Sequence, residues 1–197
     1  MKTAFYPKLA LDGMKKNRKL YLPYLLTCVL MTAMYYIIVF LNTSPFIRQM
    51  KGGTSTTTIL GFGNIIIAVF AVIFLFYTNS FLIRRRKKEF GLYNILGMGK
   101  KSIGKILIWE TLILYVSSLV FGLFAGILFS KLSELLLVNM VGAEVTLGFF
   151  ISVPGITRSI ILFAVIFLLI FLNAIRQVHF SKPVELLKSA SVGEREP

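Results

Sequence analysis

The sequence contains few of the side chains from which catalytic and metal sites are usually built. Its 197 residues include one cysteine, one histidine and eight carboxylates. The lone Cys28 excludes a disulfide within the chain and leaves the redox compartment open. His179 has no cysteine or carboxylate cluster around it, so no metal site is predicted. There is no Ser/His/Asp arrangement, and Gly97–Ser102 fails the Walker A spacing, so we do not expect the chain itself to be an enzyme.

Apolar residues, in contrast, make up 56% of the chain, and its mean hydropathy is +0.80. Four long runs carry almost no charge: Leu20–Leu41, Leu60–Ile83, a run that begins near Ile106, and Ser159–Ile175. Leu20–Leu41 alone would extend about 33 Å as a helix at roughly 1.5 Å per residue, enough to cross a bilayer. This pattern predicts an all-α integral membrane protein with four transmembrane helices.

The net charge of +14 is distributed unevenly between the connections of the predicted spans. Residues 1–19, 84–105 and 176–197 hold 18 of the 22 Lys and Arg residues, and the other two connections hold four. The positive-inside rule therefore predicts cytoplasmic termini and a cytoplasmic central loop. We divide the chain into a cytoplasmic basic segment (1–19), a four-span domain (20–175) and a cytoplasmic tail (176–197). This distribution explains the charge without a nucleic-acid partner.

The central loop holds the most distinctive segment, which begins with the five cations of 84–88. Helical spacing predicts a short two-faced helix after them. Its first face carries Leu92, Ile95 and Leu96 and would dip into the membrane interface. Its second face would point to the cytoplasm as a docking surface and carries Phe90, Tyr93, Asn94 and Gly97. In the alternative interpretation, the cations only fix topology and the helix only lies in the interface.

Arg-Arg-Arg-Lys-Lys-Glu-Phe-Gly (84–91) followed by Ile-Leu-Gly-Met (95–98) resembles the cytoplasmic loop of FtsX-like ABC transporter permeases, in particular the bacitracin-resistance type of antimicrobial-peptide transporter. The resemblance extends along the chain and corresponds to the N-terminal four-span half of those permeases. The other stretches that resemble the family are Leu9–Pro23, Trp109–Thr111, Ser181–Lys188 and Gly193–Pro197.

The resemblance implies that the loop holds a coupling helix which rests on a separate cytoplasmic ABC ATPase. The matching residues are Glu89, Phe90, Gly91, Tyr93, Asn94 and Gly97. ATP and Mg²⁺ would then bind to the partner, and this chain would need no cofactor. The family also implies the cell membrane as the location, a peptide-antibiotic or lipid-linked cell-wall substrate, and often a membrane sensor kinase as a partner.

Family members continue into further spans, a large extracellular domain and a second permease half that this sequence does not contain. An alternative function is therefore a truncated or split membrane scaffold. Such a scaffold would bind and regulate a sensor kinase or another permease half without transport.

The third span carries a stripe of small residues at intervals of four, namely Ser118, Gly122, Gly126 and Ser130. Such a stripe allows another helix to approach closely in lipid. That helix could belong to this chain or, in a homodimer, to a second copy. Glu110 near the start of the span is expected at the interface, where it favours the helix dipole. Lys131 and Glu134 predict an amphipathic turn that emerges from the membrane.

Overall fold

A computed structural model describes residues 5–49, 52–95, 97–141 and 150–180. Six α-helices follow one another along the chain: α1 (Phe5–Lys16), α2 (Arg18–Thr43), α3 (Pro45–Gln49), α4 (Gly53–Ile95), α5 (Lys100–Val141) and α6 (Val153–Phe180). Among the described residues there is no β-strand, which confirms the all-α prediction. The tail segments 181–188 and 193–197 lie outside the described residues.

Four of these helices are long and apolar enough to cross a membrane. The segments are Arg18–Thr43, Gly53–Arg86, Lys101–Met140 and Val153–Gln177. They contain the four predicted uncharged runs and confirm a four-span membrane protein. All of them extend beyond those runs, because hydropathy identifies the part of a helix that suits lipid, whereas the helix itself ends where the backbone turns.

The second span does not end at the cationic run. Helix α4, which has 43 residues in all, continues through this run and ends at Ile95. The prediction of a separate short helix is therefore wrong. Long charged side chains are good helix formers, and nothing in 84–95 forces a turn. The turn comes at Gly97, whose φ of 86° suits glycine, and the Met98 N–H donates to the Tyr93 carbonyl at 2.9 Å. This six-to-one bond is the Schellman arrangement that closes a helix.

The polar connection between the first two uncharged runs, residues 42–59, is also largely helical over its described part. It contains α3, and α4 begins at Gly53 after a turn in which Gly52 has a φ of 82°. The Thr57 and Thr58 hydroxyls donate to the Thr54 carbonyl at 3.0 and 2.9 Å. Hydroxyls that bond back to the preceding turn are compatible with a helix, and for this reason the polar composition of the segment was misleading.

The described residues form two compact units. Of these residues, the first unit draws on 5–24, 75–95, 97–114 and 166–180, and the second on 25–49, 52–74, 115–141 and 150–165. The core of the first unit consists of Ile83, Phe90, Ile103, Leu107 and Ala174. The core of the second consists of Tyr36, Phe40, Leu41 and Ile47. In the second unit, Ser152 caps α6, since its hydroxyl accepts the Gly155 N–H at 3.0 Å.

Candidate functional site

A single arginine from the cationic run is buried in the first unit. Arg86 is 1% exposed, whereas its neighbours Arg84 and Arg85 are exposed. It lies on the inner face of α4, because Ile83 and Phe90 are three and four residues away and both belong to the unit's core. Helical spacing thus directs Arg86 inward and leaves Arg84 and Arg85 outside.

The Arg86 guanidinium connects α4 to α2 and α5. Its Nη1 donates to Glu110 Oε2 at 2.6 Å and also to the Tyr21 hydroxyl. Its Nε donates to Glu89 Oε2 at 3.1 Å, and the Tyr21 hydroxyl donates to Glu110 Oε2 at 2.9 Å. The guanidinium carbon lies 5.2 Å from the centroid of the Tyr21 ring and 5.0 Å from that of the Phe90 ring. Hydrogen bonds, charge and aromatic contact therefore all hold the arginine in place.

Asn17, which lies between α1 and α2, connects the end of α1 to the same network. The Asn17 Nδ2 donates to Glu89 Oε1 at 2.6 Å and to the Gly13 carbonyl at 3.1 Å. Gly13 is buried, and a Cβ added there would lie 3.4 Å from Arg86 Nη2 and 3.6 Å from Glu110 Oε1. A Cβ at this position would thus be in van der Waals contact with the ion pair. The network, which we call the Arg86 cluster, thus consists of Gly13, Asn17, Tyr21, Arg86, Glu89 and Glu110.

The charges of the Arg86 cluster depend on one another. One guanidinium is shared by two carboxylates, and both Arg86 and Glu110 are buried. Removing one member of a buried pair costs about 3–5 kcal/mol of folding free energy, because the other charge stays behind without its partner.

Next to the cluster, burial raises the pKa of the Tyr93 phenol above its ordinary value, and the charge of Glu89 adds to this increase. Tyr93 is therefore neutral at physiological pH.

The structure places the predicted coupling residues differently from the sequence prediction. Phe90 is 1% exposed and belongs to the core of the first unit, and the half-buried Tyr93 packs against the same core. The prediction that Phe90 belongs to an exposed docking face is therefore wrong. The reason is that the segment continues α4, so Phe90 lies on the inward face together with Arg86. Gly91 is buried as well, and Glu89 bonds to Arg86 and Asn17.

Leu92, which the sequence assigned to the membrane interface, is 52% exposed. Beyond it, Gly97 and Gly99 are exposed, and a Cβ added at either one would meet no atom within 4 Å. Among the described side chains of the segment, the most open surface is therefore Leu92 together with the turn from Gly97 to Gly99. The side chains of Asn94 and Ile95, and the whole of Leu96, lie outside the described residues.

The small-residue stripe of α5 lies buried in the second unit, against α2 of the same chain. A Cβ added at Gly122 would lie 2.6 Å from the Thr32 Cβ and 3.0 Å from the Val29 carbonyl oxygen. At Gly126 it would lie 3.0 Å from the ring of Tyr36. Ser118 and Ser130 donate to carbonyls of their own helix at 2.9 and 2.8 Å. The stripe is thus occupied within the chain.

Two polar groups have a different position from the one predicted for them. Glu110, expected at the interface, is the buried centre of the Arg86 cluster. Glu134, expected on an emerging amphipathic turn, is buried in the second unit, where it accepts from the Ser44 hydroxyl and from Lys131 Nζ at 2.6 Å. A carboxylate inside a membrane span is rare and usually paired, which was the available signal for both residues. Over the described ranges, no group of three or more His, Cys, Asp or Glu side chains could hold a metal ion.

Comparison with known proteins gives one family. The family model described as FtsX-like permease C-terminal matches residues 61–183. The bacitracin export permease protein BceB of Halalkalibacterium halodurans is 34% identical over 166 residues, which are 83% of this chain and 25% of that protein. BceB of Bacillus subtilis is 32% identical over 165 residues, 84% of this chain and 26% of that protein. The Bacillus subtilis ABC transporter permease YvcS, described as uncharacterized, is 28% identical over 88% of this chain and 27% of its own length. The chain thus spans about a quarter of the length of these curated relatives.

Proposed function

The chain belongs to the FtsX-like permease family, and on that basis we propose that it forms a membrane-spanning part of an ABC transporter of the antimicrobial-peptide resistance or sensing type. Its partner would be a separate cytoplasmic ATPase, which binds ATP and Mg²⁺. The segment from Glu89 to Gly99 would receive the motion of that ATPase and transmit it to the spans. A second permease half would complete the transporter, and a peptide antibiotic or a lipid-linked cell-wall compound would be its substrate.

The continuity of α4 is the observation that supports this proposal most directly. The helix has 43 residues, about 65 Å at roughly 1.5 Å per residue, about twice the thickness of the hydrocarbon core. A force on its last turns therefore acts on the same continuous helix that contains the second span. Within the segment, residues 89–95 continue the helix of the second span without a break, and the chain turns only at Gly97.

The Arg86 cluster gives that force a second route within the first unit. Arg86 and Phe90 lie three turns or fewer before the exposed turn, and they connect α4 to α2 and α5 and to the core. A displacement of the end of α4 must therefore move Glu110 and Tyr21 or break their bonds to Arg86. In this proposal Phe90 holds the segment against the core of the first unit, and Leu92 and the Gly97–Gly99 turn contact the ATPase.

We expect Leu92→Glu to weaken ATPase binding about tenfold or more, which corresponds to about 1.4 kcal/mol. An exposed leucine at the centre of a docking site loses its apolar contact, and the new carboxylate would be buried there. The measurement is the affinity of the purified full chain, in detergent or nanodiscs, for the ATPase that co-purifies with it.

Leu11→Glu is the matched control, because Leu11 is also an exposed leucine of the first unit but lies on α1. It should leave ATPase binding unchanged. Full ATPase binding by Leu92→Glu would contradict the docking surface. Stable co-purification of a sensor kinase or another permease half, with no ATPase, would favour the regulatory scaffold instead.

We further propose that both termini and the turn at Gly97 lie in the cytoplasm, on the basis of the cation distribution. Single cysteines at the exposed positions Ser55 and Lys101, in a Cys28→Ser background, distinguish the two sides. A membrane-impermeant maleimide applied to intact cells should label Ser55→Cys and leave Lys101→Cys unlabelled until the cells are lysed. Labelling of Lys101→Cys in intact cells would reverse the assignment.

A further inference from the structure

Helix α1 has one face that packs against the rest of the first unit and an opposite face that is exposed. Ala10 and Gly13 are buried on the first face, and Tyr6 lies beneath Lys105, whose Nζ is 5.2 Å from the ring centroid. Together with the Asn17–Glu89 bond, these contacts fix the rotation of α1 about its axis. The opposite face is exposed and consists of Phe5, Lys8, Leu11, Asp12, Lys15 and Lys16.

The exposed charge of the first unit is almost entirely positive. Among the described residues of this unit, Asp12 is the one exposed carboxylate, because Glu89 and Glu110 are bound to Arg86. Among the side chains of this unit that the structure describes, ten exposed cations are found: Lys8, Lys15, Lys16, Arg18, Lys19, Arg84, Arg85, Lys101, Lys105 and Arg176. A surface of this sign attracts a polyanion, and the apolar residues among the cations indicate which one.

Exposed apolar groups accompany the cations. Phe5 and Leu11 are exposed on the same face of α1 as Lys8 and Lys15. On α4, the Arg85 guanidinium lies 5.1 Å from the centroid of the exposed Phe81 ring. A mixture of cations and exposed apolar side chains fits the headgroup layer of a membrane, where phosphates meet the first methylene groups. An anionic headgroup layer supplies both kinds of contact, phosphates for the lysines and methylene groups for Phe5 and Leu11.

We propose that the outward face of α1, centred on Lys8, Leu11, Lys15 and Lys16, is a binding surface for the phosphate headgroups of anionic phospholipids. The lysines contact the phosphates, and Leu11 and Phe5 enter the layer between them. Because Asn17, which directly follows α1, donates to Glu89 of the Arg86 cluster, this lipid-binding face is joined to the rest of the first unit. This inference does not depend on the ATPase and goes beyond the proposed transporter role.

The test measures lipid selectivity of the full chain reconstituted in mixed phosphatidylcholine and phosphatidylglycerol vesicles. Electron spin resonance with spin-labelled forms of both lipids gives the ratio of their association with the protein. We expect a preference for phosphatidylglycerol that falls about threefold or more in the triple variant Lys8→Gln/Lys15→Gln/Lys16→Gln and also falls in high salt.

Arg48→Gln/Arg158→Gln is the matched control, since it removes two exposed cations of the second unit. It should preserve the preference, and reaction of the buried Cys28 thiol with a maleimide on heating checks that every variant is folded. Equal selectivity of the triple variant and the unsubstituted chain would overturn the proposal. So would weaker ATPase binding by the triple variant with unchanged lipid selectivity, because the surface would then belong to a protein partner.

Discussion

Replacing Glu110 with alanine is expected to destabilise the protein by about 3 kcal/mol or more. The Arg86 guanidinium would stay buried after losing its bond to Glu110 Oε2, which measures 2.6 Å, and the Tyr21 hydroxyl would lose its acceptor. An uncompensated buried charge is one of the few causes of such a large effect from a single substitution. Glu89 still binds Arg86 Nε, which keeps the loss from being larger.

Cys28 provides the measurement. It is the one cysteine in the sequence and is 0% exposed, so a maleimide that fluoresces on reaction reports unfolding on heating. Glu110→Ala should lower the midpoint of that transition strongly. Asp12→Ala is the control, because it removes an exposed carboxylate of the same unit and should change the free energy of unfolding by less than about 0.5 kcal/mol.

A double variant distinguishes loss of the ion pair from loss of packing. Arg86→Met/Glu110→Leu removes both buried charges and fills their space with apolar side chains, which is often neutral or stabilising for a buried pair. We expect it to be more stable than Glu110→Ala alone. If Glu110→Ala and Asp12→Ala melt together, the Arg86 cluster does not stabilise the fold. If the double variant is less stable than Glu110→Ala, the packing of these side chains matters more than their charges.

The sequence was sufficient to predict the spans. A run such as Leu20–Leu41 carries no charge over a length that crosses a bilayer, and this property belongs to the run itself. The continuation of α4 to Ile95 could not be predicted in the same way, because charged residues suit a helix as well as a loop. The positive φ at Gly97, rather than the cations, decides where the helix ends.

The Arg86 cluster could not be predicted from local patterns, because its members come from four separate segments. Arg86 is one of five adjacent cations, and its burial depends on Glu110 in the next helix and Tyr21 in an earlier one. The same argument applies to Phe90. Its spacing from Tyr93 predicted a shared face correctly, but only the direction of α4 decides whether that face points to the core or to solvent.

The small-residue stripe of α5 could be predicted from the sequence only in part. Its spacing predicted a close helix approach, and the distances at Gly122 and Gly126 have the values expected of one. The spacing does not identify the approaching helix, since a homodimer would need the same stripe. In the second unit the neighbour is α2 of this chain, with Thr32 and Tyr36 against the glycines.

The contact at Gly122 leads to the second prediction, that Gly122→Ala is destabilising by about 1–2 kcal/mol although alanine is the better helix former. The new Cβ would lie 2.6 Å from the Thr32 Cβ and 2.8 Å from its Cγ2, so α2 and α5 must move apart locally. The Thr32 Cβ is attached to the backbone and cannot rotate away. Overpacking of this kind typically costs about 1–3 kcal/mol and exceeds the propensity gain of about 1 kcal/mol.

Gly63→Ala is the matched control, because Gly63 is also a helical glycine of the second unit and a Cβ there would meet no atom within 4 Å. It should be neutral or slightly stabilising. The reaction of Cys28 with a maleimide on heating again measures unfolding. Cys28 lies next to the altered contact, because it directly precedes Val29, whose carbonyl oxygen would be 3.0 Å from the new Cβ at position 122. Gly122→Ala should therefore make the thiol reactive at a lower temperature than Gly63→Ala.

Thr32→Gly/Gly122→Ala moves the small residue from α5 to α2 and should recover part of the lost stability. Equal thiol reactivity of the two alanine variants would show that α2 and α5 do not need the close approach at Gly122.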